Sequence, residues 1–175
     1  MSYFRFSSFI LLLALISACS HKFDSNVLDL SFYQWNLWAD LEAVTEDGDP
    51  SCGWDDLHRG KGKLVRIPAL TQEHFSAEER GDVYWYHCRF TLPEDWEERE
   101  VSFSFEGVGP ATEVYLNAEQ VLSYEGKVEV DVNVSEVIYY TRDNHLAIKV
   151  SASDAQGSKA TGISGGVVAK SKIAP

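Results

Sequence analysis

Hydrophobic residues recur along this chain with a period of two. From Val83 to Phe90, Tyr84, Tyr86, Cys88 and Phe90 share one face, and Val83, Trp85, His87 and Arg89 share the other. Val101, Phe103 and Phe105 alternate with Ser102, Ser104 and Glu106. Side chains alternate across a strand, so both runs predict half-buried strands. A polar link, LPEDWEERE, joins them. Two further strands are predicted at Thr112–Leu116 and Val121–Tyr124, on either side of a turn at Asn117–Gln120. Four strands so closely spaced predict an antiparallel meander, against which the rest must pack.

The flanks extend the pattern. Val27–Asp40 alternates as one amphipathic strand, with Leu28, Leu30, Phe32 and Gln34 opposite Asp29, Ser31, Tyr33 and Trp35. Leu41–Lys63 is irregular, rich in Gly and acids, and predicts a long loop. Leu64–Leu70 predicts a strand ending near Pro68. Thr71–Arg80 predicts a short helical turn capped by Thr71 and stopped at Gly81. Lys127–Val134, His145–Ser151 and Gly162–Ile173 predict the remaining strands. About eight or nine short strands and no long helix predict an all-β fold, an antiparallel β-sandwich.

Charge removes one class of partner. The formal charge is −12, and no basic stripe interrupts it, so no nucleic-acid partner is expected. A chain of 175 residues has room for one domain of about 150 residues with a real core.

Particular residues then resemble a known family. Trp85-Tyr86, Phe90, Leu92-Pro93, Phe105-Glu106-Gly107, Glu113-Val114-Tyr115-Leu116-Asn117 and Gly126 resemble the sugar-binding domain of glycoside hydrolase family 2. Ile67-Pro68, Val130-Asp131-Val132, Asn144–Val150 and Gly162–Val167 extend the resemblance over roughly residues 28–170. It implies a galactose-binding-like jelly roll, a domain that positions or binds sugar and does no chemistry itself. In that family the catalytic acids lie on a separate barrel, for which this chain has no room. One departure stands out. The family's Asn-Gly turn is Asn117-Ala118 here, so a type I′ turn, with positive φ at both positions, is expected to be replaced.

The first 18 residues read as an export signal. Arg5 supplies a positive start and Phe9–Ile16 an apolar run too short to span a bilayer. Ile16-Ser17-Ala18-Cys19 resembles the bacterial lipobox, which implies acylation of Cys19 and a membrane-anchored protein. Ser20 after it points to the outer membrane. Residues 19–26 form a tether and 27–175 the domain. The other reading is an ordinary signal cleaved near Ala18. Export leaves Cys52 and Cys88 in an oxidising compartment, where a disulfide worth roughly 3–4 kcal/mol is expected. Otherwise Cys88 packs unpaired beside Tyr86 and Phe90.

Candidate chemistry is thin. Asp55-Asp56, Glu94-Asp95 and Glu97-Glu98 are adjacent acids on predicted loops, unlike two carboxyls held across a cleft. There is no G-x-S-x-G elbow. The five His are scattered, there is no C-x-x-C, and neither metal nor cofactor is expected. Trp54 with Asp55, Asp56, His58 and Arg59 is the one aromatic-plus-polar loop cluster, a candidate sugar site at the sandwich end. Trp54 alternatively just covers that end. The expected function is a non-catalytic, exported lipoprotein that binds carbohydrate at the cell envelope. An envelope protein as partner, or a glycosidase that this chain assists, are the alternatives.

Overall fold

The computed structural model describes residues 26–43, 48–126, 129–152 and 161–173. The export signal, Cys19, most of the tether and Glu46-Asp47 lie outside the described residues. The strands are β1 (Val27–Asp29), β2 (Trp35–Ala39), β3 (Lys63–Val65), β4 (Ala69–Leu70), β5 (Val83–Phe90), β6 (Arg99–Phe105), β7 (Val108–Gly109), β8 (Ala111–Leu116), β9 (Glu119–Glu125), β10 (Val130–Asn133), β11 (Asn144–Ser151), β12 (Gly162–Ile163) and β13 (Val167–Ile173). Two short helices are α1 (Trp54–His58) and α2 (Thr71–His74).

The strands pair antiparallel in three sheets. One has the order β1-β13-β6-β10, a second β3-β2-β5-β11-β8-β9, and a small third β4-β12-β7. The expected all-β sandwich is present. Its main core includes Trp35, Leu37, Tyr86, Cys88, Phe90, Leu146 and Ile148 from the six-stranded sheet and Val101, Phe103, Phe105 and Ala169 from the four-stranded one. Phe90 meets Phe103 edge-on at 5.8 Å, a contact between the two sheets. Tyr86 donates its hydroxyl to the carbonyl of Ala69 at 2.8 Å, which ties the small third sheet to the sandwich.

Four local departures from the sequence pattern have identifiable causes. Val27–Asp40 is not one strand: a turn at Leu30–Phe32 carries the chain from the four-stranded to the six-stranded sheet. Leu30 is fully buried there, and its carbonyl accepts the Trp35 indole N–H at 2.9 Å. Gly162–Ile173 likewise divides at Ser164-Gly165-Gly166 between two sheets. The link between β5 and β6 is not merely polar, because a short turn at Glu94–Trp96 buries Trp96 completely. Thr71 is inside α2 rather than capping it; Glu73 accepts from the N–H of Leu70 instead.

The Asn117-Ala118 turn overturns an expectation. Both residues have positive φ, 56° and 70°, so the tight turn survives without its glycine. Asn117 explains this. Its side chain donates to the Val137 carbonyl at 2.9 Å and to Asn144 Oδ1 at 3.1 Å, and accepts the His145 N–H at 3.0 Å. A side chain held by three bonds keeps the turn in a conformation that alanine alone disfavours.

The six-stranded sheet ends in two edges. At one, β3 is three residues long, and Lys63 donates to the His74 carbonyl at 2.9 Å and to Glu79 at 3.0 Å.

Candidate functional site

β5 is buried on both faces, which its alternation did not predict. Val83, Trp85 and His87 are 2 %, 0 % and 2 % exposed, although they point away from the main core. The cover is the segment that carries α1. Leu57 is fully buried beneath it and packs with Val83, Trp85, Tyr115 and Ala147 in a second, smaller core.

Asp40 moors this cover. It follows β2, is 2 % exposed, and accepts the Ser51 N–H at 2.9 Å and the Trp85 indole N–H at 3.2 Å. The Ser51 hydroxyl also donates to it. A buried carboxylate that accepts three donors fixes where the chain turns toward α1. Beyond α1, Gly62 has φ 112°, and a Cβ there would strike the Leu37 backbone, so the return to β3 depends on glycine.

The candidate residues divide on α1. Trp54 lies edge-on to Trp85 at 5.6 Å and against Tyr115 at 5.1 Å, and donates its indole N–H to Asp49 at 3.0 Å. Asp55 and Asp56 are exposed, and Asp56 pairs with Arg59 at 2.8 Å. His58, like Trp54, turns toward the sheet.

There it meets two histidines from distant parts of the chain. In the β5–β11 register, His87 is opposite Ala147 and Arg89 is opposite His145. His87 and His145 are therefore diagonal neighbours on the outer face. His87 Nε2 and His145 Nδ1 share one hydrogen bond at 3.0 Å. His58 stacks on His145 with centroids 4.2 Å apart and planes 19° apart. One ring nitrogen of each residue lies within 4.8 Å of the others. His58 Nε2 and His87 Nδ1 are buried without a hydrogen-bond partner.

Burial, with the neighbouring imidazoles adding to it, lowers the His87 pKa to about 3. Burial and His145 lower His58 to about 4, against an opposing pull from Asp55. Burial lowers His145 too, opposed by Asp143. All three are neutral imidazoles at pH 7.

A groove of about 600 Å³ opens beside this cluster. It is lined by Tyr33, Gln34 and Asn36 from β2 and its lead-in, by His58, Arg59 and Gly60 at the end of α1, and by His87 and Arg89 of β5. Amides, guanidiniums and imidazoles dominate it, and no carboxylate is among these residues. The sequence pointed to His58 and Arg59 but not to Gln34, Asn36, His87, Arg89 or His145. Period-two phasing put His87 and Arg89 on one face; only the β5–β11 register adds His145.

The expected disulfide is not formed: Cys52 and Cys88 are free thiols. Alternation explains it. Cys88 shares the inner phase of β5 and lies in the main core, whereas Cys52 packs on the second core at the outer face. The sheet stands between them. Burial pushes the Cys88 thiol up to about 12.

An antiparallel jelly-roll sandwich is the architecture of a galactose-binding-like domain. A family model described as glycosyl hydrolase 2 galactose-binding domain-like matches residues 50–169. The chain belongs to that family, as the resemblance implied. Solved structures agree in fold. A glycosyl hydrolase family 2 member from Bacteroides cellulosilyticus superposes with a TM-score of 0.69 at 14% identity, over 85% of this chain and 21% of that one. The β-glucuronidase of Bacteroides uniformis gives 0.65 at 18% identity, over 84% and 18%. The β-glucuronidase of Ruminococcus gnavus, in complex with uronic deoxynojirimycin, gives 0.62 at 18% identity, over 83% and 29%. The chain therefore spans less than a third of the length of each. No curated protein matches it.

Proposed function

We propose that this protein is a non-catalytic, lipid-anchored module of the bacterial envelope that binds carbohydrate in the groove beside α1. The groove is the observation that carries the reading. In a domain of a galactose-binding-like family, it gathers the Gln34 and Asn36 amides and the Arg59 and Arg89 guanidiniums around a volume large enough for a sugar unit or two. Such groups bond hydroxyls. Tyr33 is the aromatic surface within the groove, since Trp54 is engaged with Trp85, Tyr115 and Asp49. The lipobox-like Ile16–Cys19 supports the anchor and export.

The test is a glycan array followed by calorimetry on the full chain in detergent. Saturable binding weakened more than about tenfold in the Gln34→Ala/Asn36→Ala double variant is expected. That corresponds to about 1.4 kcal/mol, the range of one or two hydroxyl hydrogen bonds. A folded protein that binds no glycan would overturn the reading. Palmitate labelling lost in Cys19→Ala checks the anchor.

One observation favours a second reading, a protein partner. Phe32 and Leu64 are 86% and 66% exposed and border one shallow depression next to the groove. Binding to an envelope protein that fails in Phe32→Ser/Leu64→Ser, with no glycan bound, would favour that role.

A further inference from the structure

We propose that His58, His87 and His145 form a binding site for one divalent transition-metal ion of the zinc, copper or nickel class, beside the groove. The three imidazoles come from α1, β5 and β11, and one ring nitrogen of each lies within 4.8 Å of the others. Zinc–nitrogen bonds of about 2.0–2.1 Å at a tetrahedral centre place ligand nitrogens about 3.3 Å apart. His87 Nε2 and His145 Nδ1, at 3.0 Å, are close to that spacing. His58 has to move inward by up to about 1.5 Å to bring the 4.8 Å limit down to that spacing.

One further observation points to a ligand. The Nε2 of His58 is buried and has no hydrogen-bond partner, although it lies beside two other imidazoles. A buried polar nitrogen is rarely left unsatisfied, and a metal ion shared with His87 and His145 would satisfy this one. The donor set fixes the class of ion. Three imidazoles suit zinc, copper and nickel, whereas calcium and magnesium take oxygen ligands.

The rings are now stacked, so their lone pairs do not converge. Convergence requires His58 and His145 to turn about χ2, a broad torsion that a histidine changes at little cost. Both are only half-buried, and His58 borders the groove. Three protein ligands leave a fourth position for water or a ligand atom. The proposal stands independently of carbohydrate binding, because its readout needs no sugar.

The full chain, stripped with a chelator, would be titrated with zinc chloride by calorimetry and with cobalt chloride by visible absorption. Expected are one ion per chain and the intense d–d bands of tetrahedral cobalt. His58→Ala and His145→Ala should each weaken binding by more than about 100-fold, beyond the 10–100-fold typical of outer-shell partners. His74→Ala, outside the cluster, should change nothing. His58 sits on the short, largely exposed α1, so its variant tests the site even if a His87 variant does not fold. No saturable zinc binding, octahedral cobalt bands, or binding that survives both His58→Ala and His145→Ala would overturn the proposal.

Discussion

The two faces of β5 come from alternate residues of one segment and are built on different principles. The inner face, Tyr84, Tyr86, Cys88 and Phe90, joins a broad core in which rings and aliphatic chains interlock and the Tyr86 hydroxyl reaches a backbone carbonyl. The outer face, Val83, Trp85 and His87, lies under a thin cover and among charged and polar groups: Asp40, Lys149 and three imidazoles. Lys149 is 3% exposed, pairs with Glu113 at 3.2 Å, and lies 6.0 Å from the Trp85 ring. Apolar packing tolerates imperfect detail, whereas a buried polar network is costly when any member is lost. The inner face therefore holds the fold, and the outer face holds the arrangement of the groove.

The sharpest way to break this contrast is at the inner face. Phe103→Ala should lower unfolding free energy by about 3–5 kcal/mol, measured in urea, because it opens a cavity between the sheets. At the outer face, Asp40→Ala should cost about 2–3 kcal/mol by leaving the Trp85 and Ser51 donors without an acceptor. Its signature is local: amide exchange should rise across residues 51–60 more than in β6. Equal protection loss in both regions would show that the cover and the main core are one unit.

Acid should act first on the outer face. His87 and His58 have pKa values lowered to about 3 and about 4, against an ordinary value near 6.5. Between those limits the unfolded chain binds more protons than the folded one. Stability is full above pH 7 with respect to these groups and falls as pH drops from about 6.5 toward 3. Measured in chelator, His87→Asn should flatten that slope; an unchanged slope would assign the loss to carboxylates. A smaller effect is expected at the Asn117-Ala118 turn. Ala118→Gly should raise stability by about 1 kcal/mol, since glycine accepts the positive φ that alanine resists. The smallest is none: dithiothreitol should leave Tm unchanged, because the described thiols are unpaired.

Much of the fold was legible because alternation is a local signal. Tyr84 to Phe90 and Val101 to Phe105 identified the inner face without knowledge of any partner strand. The strand change at Leu30–Phe32 was not legible, since no breaker marks it, whereas the one at Ser164-Gly165-Gly166 carried a Gly-Gly turn signal that alternation on either side concealed. The disulfide failed for a related reason. Pairing two cysteines by compartment ignores which side of a sheet each one occupies. The histidine cluster was hidden more deeply. His87 and His145 are 58 residues apart and meet only through the β5–β11 register, and His58 joins them only because Asp40 fixes the path into α1.

The edge formed by β3 bears on behaviour in a crowd. A sheet margin with free amides and carbonyls is a template for another chain to add to, and long apolar margins seed fibres. Here the margin is only Lys63–Val65, with the Lys63 ammonium clamped to the Glu79 carboxylate and the His74 carbonyl. An incoming strand would have to break that clamp and leave a cation facing its backbone. This edge should therefore resist adding a second copy, and colloidal stability should fall on replacing Lys63 with a β-branched apolar residue.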